Sequence, residues 1–282
     1  MRKYYVLALL ALFVAVYVHF SGSSKENEAE TIQDVKVLRV GAECNYVPNS
    51  WEEPLPSRFN VPISNREGFY ADGYDIQIAK IVAQKLGRVL EVHKIEWNDL
   101  LPSLNNGKID AVFSSMLDTE DRRRLAAFSE PYEVRGTEYG IIVDSVGAFF
   151  TAASLEDFNG ARIIGQRGTK LEEVIQQIPG VIRVAPGNSV QEVVDAILED
   201  KADGAVIETD TGHYYEIMNN NLTLIKFPAD KGFKLGFHGV CAAVRKKDKD
   251  LLKKINEIVA EIPRNQRQKI MDDTAARMIG LR

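Results

Sequence analysis

From Lys36 onward, short apolar runs alternate with amphipathic helical patterns, and the alternation runs once through the chain and then begins again. Strands joined by crossover helices produce this pattern, so it restricts the chain to an α/β architecture with mainly parallel sheets. In the first series, residues 36–41, 89–95 and 109–115 read as strands, with helices over 75–86 and 98–104. After a strand at 139–143 the alternation restarts. Strands follow at 161–165, 181–185, 204–208 and 222–227, with helices opening at Thr169 and Ser189. A strand at 240–244 and two helices over 248–278 close the chain. Two such units, each of about four strands, imply two lobes with a cleft between them, because open sheets place ligands beyond their strand ends. Thr169 with Glu172, and Ser189 with Glu192, have the spacing of capping boxes. Residues 51–73, which carry Pro54, Pro56 and Pro62, read as one long loop, either functional or a surface insertion.

The start of the chain changes its setting. Arg2 and Lys3 precede an apolar run over 4–18, and Ser21, Gly22 and Ser23 follow it, which is the order of a secretory signal. Residues 1–23 are therefore expected to be a signal peptide cleaved after Ser23, or an uncleaved N-terminal anchor, and 24–35 a polar linker. No cysteine follows the apolar run, which argues against a lipid-modified N-terminus. Loss of Arg2 and Lys3 takes the formal charge from −5 to −7. That balance argues against nucleic acid as a partner, because phosphate binding needs concentrated positive charge. Cys44 and Cys241 make at most one bridge, and two free buried thiols fit the sequence equally. The histidines at 19, 93, 213 and 238 are scattered, and no HExxH, GxSxG, Walker or dinucleotide motif occurs, so neither metal nor cofactor is expected.

The richest stretch is IDAVFSSMLDTEDRRRLAAFSEPY, residues 109–132. A buried strand leads into Ser114 and Ser115, and Thr119 can cap a short helix with Arg122 in its first turn. Free N–H groups at a helix start attract an anion, and a guanidinium grips a carboxylate with two parallel hydrogen bonds. A cation so early in a helix opposes the dipole unless an anion compensates it. The competing account is a solvated face, since Arg122, Arg123 and Arg124 are consecutive.

Six motifs in order complete the pattern: LRVGAECNYVP at 38–48, GYDIQIAKIVAQKLG at 73–87, LPSLNNGKIDAVFSSM at 101–116, TEDRR with FSEPY, LEDFNGARIIGQRGT at 155–169, and KADGAVIE at 201–208. The chain from Val37 onward thereby resembles the polar amino-acid group, family 3, of extracellular solute-binding proteins that serve ABC importers. The resemblance implies a type II, two-lobed periplasmic-binding-protein-like fold, each lobe a mixed, mainly parallel sheet flanked by helices. It implies lobe 1 from 36–135 with 240–282 and lobe 2 from 136–239, closing around a ligand. A monomer that delivers a small L-amino acid to a membrane ABC permease, at the periplasmic face or cell surface, is the expected working form.

Carried over residue by residue, the resemblance puts Arg122 on the ligand α-carboxylate, helped by Ser114, Ser115 and the backbone N–H groups of Thr169 and Lys170. Glu208 receives the α-ammonium. Tyr46 and Tyr74 sandwich the side chain, and Glu43 reads its far end, which favours a basic amino acid. The pairing makes physical sense alone, because a zwitterion in a dry site needs one cation and one anion. Trp51 either lines the pocket or packs its loop. Two departures stand out: Leu117 replaces a small hydroxyl residue, and Lys170, where threonine is frequent, either adds to the carboxylate clamp or repels a basic side chain. The ending QKIMDDTAARM replaces the family's usual aromatic motif and resembles a subgroup. Two alternatives on the same scaffold are a cyclohexadienyl-type dehydratase and a ligand sensor that engages a receptor.

Overall fold

The computed structural model describes residues 36–133, 138–228, 230–235, 239–278 and 280. The expected signal or anchor, the linker, the lobe boundary at 135/136, His19 and His238 lie outside the described residues. Two five-stranded sheets form the frame. Across the first run Val89–Lys94, Val37–Ala42, Ala111–Val112, Ala243–Val244 and Ala127–Phe128. Across the second run Ile182–Arg183, Arg162–Ile164, Gly204–Glu208, Tyr139–Asp144 and Leu222–Ile225. Each sheet has two parallel pairings followed by two antiparallel ones. In the first sheet the antiparallel member Ala243–Val244 arrives from far along the chain, so that lobe is built from both ends of the described sequence.

The cores follow the apolar spacing. Leu38 and Val40 are fully buried on the strand Val37–Ala42, where Ile78, Ala79 and Val82 of the helix Tyr74–Lys85 cover them together with Ile255, Ile258 and Val259 of the helix Lys249–Glu261. In the second lobe, Val190, Val193, Val194 and Ile197 give the helix Val190–Leu198 one apolar stripe, the spacing of a face turned to a sheet. Tyr46 packs into that second-lobe cluster, although it follows the first strand of the first sheet. The two lobes therefore meet along Tyr46.

Several local expectations change. Residues 51–73 are not a loop: Ser50–Glu53, Val61–Pro62 and Tyr70–Asp72 join Asn45–Tyr46 in a four-stranded antiparallel sheet. Its proline-bearing strand sits at the edge, where a missing N–H is tolerated. Trp51 is paired within this sheet, opposite Asn45 and Asp72. Arg277 of the helix Arg264–Met278 ties the sheet down through buried Asp72 at 2.8 and 3.0 Å. The strand expected over 109–115 shrinks to Ala111–Val112, and Ser115 beyond it adopts a left-handed backbone, φ 47°. Both expected capping boxes are displaced, at both corners for Thr169 and at one for Ser189. Thr169 and Ser189 accept from the N–H groups of Leu171 and Glu192, but the carboxylates of Glu172 and Glu192 bind the N–H groups of Gly168 and Asn188, just before each cap. Cys44 and Cys241 are free, buried thiols. No helix among the described residues is long and apolar enough to cross a membrane.

Candidate functional site

Beyond the strand ends of both sheets lies a small cavity with about 30 Å³ of free space between its walls. From the first lobe Glu43, Tyr46, Ser114, Ser115 and Arg122 line it, and from the second Thr169, Lys170 and Glu208. Glu43, Tyr46, Ser114, Ser115 and Glu208 end or closely follow strands, and Arg122, Thr169 and Lys170 sit at the starts of short helices, which is why residues so distant in sequence converge.

Arg122 differs from its two neighbours. Arg123 pairs with Asp118 at 2.5 and 2.6 Å, and Arg124 with Glu120 at 3.3 Å, both on the exposed face. Arg122 turns inward. Its Nη1 donates to the Leu117 carbonyl at 2.9 Å and its Nη2 to the Gly168 carbonyl of the other lobe at 3.2 Å. The guanidinium lies 4.9 Å from the centre of the Trp97 ring. Among the described residues, no carboxylate lies within 4.0 Å of it. Burial without an anion pushes its pKa down to about 10. A cation held by neutral acceptors beside a cavity is a docking point for an external carboxylate, whose arrival offsets the desolvation already imposed.

Two carboxylates face the same space. Glu208 ends the strand Gly204–Glu208 and precedes the helix Thr209–Met218, yet its side chain makes no cap bond to that helix. It keeps some exposed surface, but its carboxylate is well desolvated, and burial raises its pKa to about 7 against the hydrogen bond from the Tyr46 hydroxyl. Glu43 is 2% exposed. Burial raises it to about 8, opposed by the Gln166 amide, which donates to Oε1 at 2.7 Å. Both carboxylates thus sit where a bound cation would favour their ionised form.

The remaining lining is mostly committed to the protein. Ser114 accepts the Glu43 N–H at 3.0 Å, and the Ser115 hydroxyl donates to Asp75 at 3.0 Å. The Thr169 N–H donates to the Gln166 carbonyl at 3.3 Å. The Lys170 ammonium pairs with Glu173 at 2.7 Å. Lys170 therefore brings little net charge to the cavity.

A model of the bacterial extracellular solute-binding proteins, family 3, matches residues 59–274. The chain belongs to this family. The arginine-binding extracellular protein ArtP of Bacillus subtilis (strain 168) is 26% identical to this solute-binding protein over 265 residues, covering 93% of this chain and 94% of ArtP. A probable histidine-binding protein of Neisseria gonorrhoeae is 24% identical, covering 92% of this chain and 90% of its own. Among solved structures, an ancestral arginine-binding protein bound to arginine superposes with a TM-score of 0.68 at 26% identity, covering 84% of this chain and 97% of that one. The two-lobed type II periplasmic-binding fold is thereby shown.

Within this solute-binding protein one expected ligand contact is misplaced. Tyr74 does not line the cavity: it is 1% exposed in the first-lobe core, and its hydroxyl donates to the Tyr132 carbonyl at 2.6 Å. The first position of the helix Tyr74–Lys85 points its ring at Tyr132, 6.1 Å away, instead of at the cleft. Trp97, Tyr139 and Gln166 line the cavity unforeseen. Trp97 starts a 3-10 turn ahead of the helix Leu100–Asn105, and its Nε1 donates to the Gly168 carbonyl at 3.3 Å. Tyr139 sits directly opposite Glu208 in the second sheet, a register that only the pairing of those strands reveals. Leu117, already a departure from the family pattern, lines the cavity too, and its carbonyl accepts from Arg122.

Proposed function

We propose that this chain is an extracytoplasmic binding protein that captures a basic L-amino acid between its lobes and presents it to an ABC permease in the membrane. The observation that carries this reading is Arg122, a guanidinium held by two carbonyls and no carboxylate, in one cavity with Glu208. A zwitterion supplies the missing anion to the first and a cation to the second. Glu43 beyond them favours a side chain that ends in a cation, and the aromatic faces of Tyr46 and Trp97 suit both its aliphatic stem and its charge. Lys170 does not oppose such a ligand strongly, since Glu173 neutralises it. The relatives that bind arginine or histidine support the same class.

The lobes divide near residues 135 and 239, with 36–135 and 240–282 in the first and 136–239 in the second, a division supported by which strands enter which sheet. Ligand contacts split between lobes favour the closed form by linkage. The protein works as a monomeric binder and not as an enzyme, at the periplasmic face or cell surface, in keeping with an extracellular family.

A thermal-shift screen of the common L-amino acids tests this reading. A basic amino acid at about a hundred times its Kd should raise Tm by about 5–10 °C. No shift with any amino acid would refute it.

A further inference from the structure

The carboxylate of Asp75 is fully buried in the first turn of the helix Tyr74–Lys85. Among the described residues no Lys, Arg or His lies within ion-pair distance of it. Its partners are all neutral donors. Oδ1 accepts the Tyr132 hydroxyl at 2.6 Å and Oδ2 accepts the Ser115 hydroxyl at 3.0 Å. A carboxylate accepts from both hydroxyls, whereas an amide of the same shape accepts at one oxygen only, so the hydroxyl facing its NH2 must give up its donated bond and turn acceptor. Burying an acid without a cation is costly, so the site calls for a reason other than packing.

The two partners lie on opposite sides of a mechanical problem. Ser115 is at the cavity wall with a left-handed backbone, φ 47°, a conformation that serine adopts only when its surroundings enforce it. Two residues later the Leu117 carbonyl holds Arg122 at 2.9 Å. Tyr132, by contrast, is fixed in the core: it packs 5.6 Å from Phe113 and 6.1 Å from Tyr74, and its carbonyl takes the Tyr74 hydroxyl at 2.6 Å.

We propose that Asp75 is a positioning residue for ligand capture, fastening the strained Ser115 turn, and through it the Leu117 carbonyl that orients Arg122, to the Tyr132–Tyr74 pair of the core. This rests on the amino-acid reading of the cavity. Asp75 touches no ligand; it sets the backbone from which the carboxylate clamp is built.

Calorimetric titration of the full chain with L-arginine and with L-histidine, alongside ligand-free Tm, tests the proposal. Asp75→Asn should weaken binding by at least about tenfold. In a Ser115→Gly background, where the left-handed backbone needs no support, the same change should weaken it by less than about threefold. A lower Tm with unchanged Kd in Asp75→Asn overturns the proposal, because it leaves Asp75 a purely stabilising role. If Asp75→Asn does not fold, Tyr132→Phe removes one arm of the network and should still weaken binding measurably; a wild-type Kd there overturns the proposal equally. Failure of the wild-type chain to bind any amino acid overturns the amino-acid reading and this inference with it, whereas tight wild-type binding with an unaffected Asp75→Asn overturns this inference alone.

Discussion

Gln166 donates its amide to the carboxylate of Glu43 at 2.7 Å, joining the second lobe to the first at the wall of the cavity. The same amide reaches the Asn188 carbonyl at 3.2 Å, so the second lobe holds it in place. One bond thus serves two ends: it favours the ionised form of Glu43, and it favours lobe closure. Thr211, whose hydroxyl donates to the Val47 carbonyl at 2.6 Å, adds to the cross-lobe bonds that Arg122 and Trp97 make to Gly168.

Replacement of Gln166 by leucine, close in size, removes its bonds to Glu43 and to the Asn188 carbonyl. The ligand-free protein should become more open, read as a larger radius of gyration in solution scattering. Affinity for a basic amino acid at pH 7 should fall by about tenfold to a hundredfold, the usual worth of a hydrogen bond to a charged group. Unchanged scattering and affinity would show that the bond carries neither task.

Binding should depend on pH with a definite sign. Glu43 and Glu208 ionise near 8 and 7 in the free protein, above the ordinary carboxylate value. A bound cation favours their ionised forms, so binding releases protons and weakens as pH falls through 8 and then 7, by up to about tenfold per pH unit for each proton. Titrations at pH 8.5, 7 and 6 in buffers of different ionisation heat measure both quantities. A flat profile would contradict the assignment of these two acids to the cationic end of the ligand.

Stability carries the opposite sign. Unfolded Glu43 loses its proton near the ordinary value of 4.5, but the folded form keeps it until about 8. The folded state is therefore disfavoured progressively as pH rises from 4.5 to 8, and Glu43→Gln removes that effect. At pH 8.5 the ligand-free variant should melt at least about 2 °C above wild type, with the gap closing toward pH 5. Calorimetric melting curves at the two pH values provide the comparison.

Trp97→Ala removes the ring beside Arg122 and a cross-lobe bond to Gly168. A cation–ring contact and a hydrogen bond of these kinds contribute roughly 1–3 kcal/mol together, so Kd should rise by about tenfold, with a smaller effect on ligand-free Tm because Trp97 is only half-buried. A larger loss of Tm than of affinity would make Trp97 a packing residue.

Sequence alone carried the frame and part of the site. The strand at 204–208 has the observed bounds, and the acidic residue that ends it reaches the cavity, because an apolar run closed by a single carboxylate is a strong local signal. Arg122 could be placed at a helix start, but its separation from Arg123 and Arg124 could not be read, since it depends on Leu117 and Gly168 presenting carbonyls on one side only. Tyr74 went astray for a related reason. Its neighbours in the sequence fit a ligand contact, while its direction was set by Tyr132, 58 positions away. Gln166 and Tyr139 carry no motif of their own, and their roles arise from contacts between distant strands. The small sheet over 45–72 was hidden by short strands and prolines that resemble a loop.

The central claim is that Arg122 and Glu208 hold opposite ends of one zwitterion. Competitive calorimetry with L-arginine, L-argininamide and Nα-acetyl-L-arginine tests it most directly, because the second lacks the carboxylate and the third lacks the ammonium while both keep the side chain. Each analogue should bind at least about a hundredfold more weakly than arginine, and Arg122→Ala should weaken arginine strongly while barely changing the amide. Equal affinity of the amide and of arginine for the wild-type protein would contradict the claim.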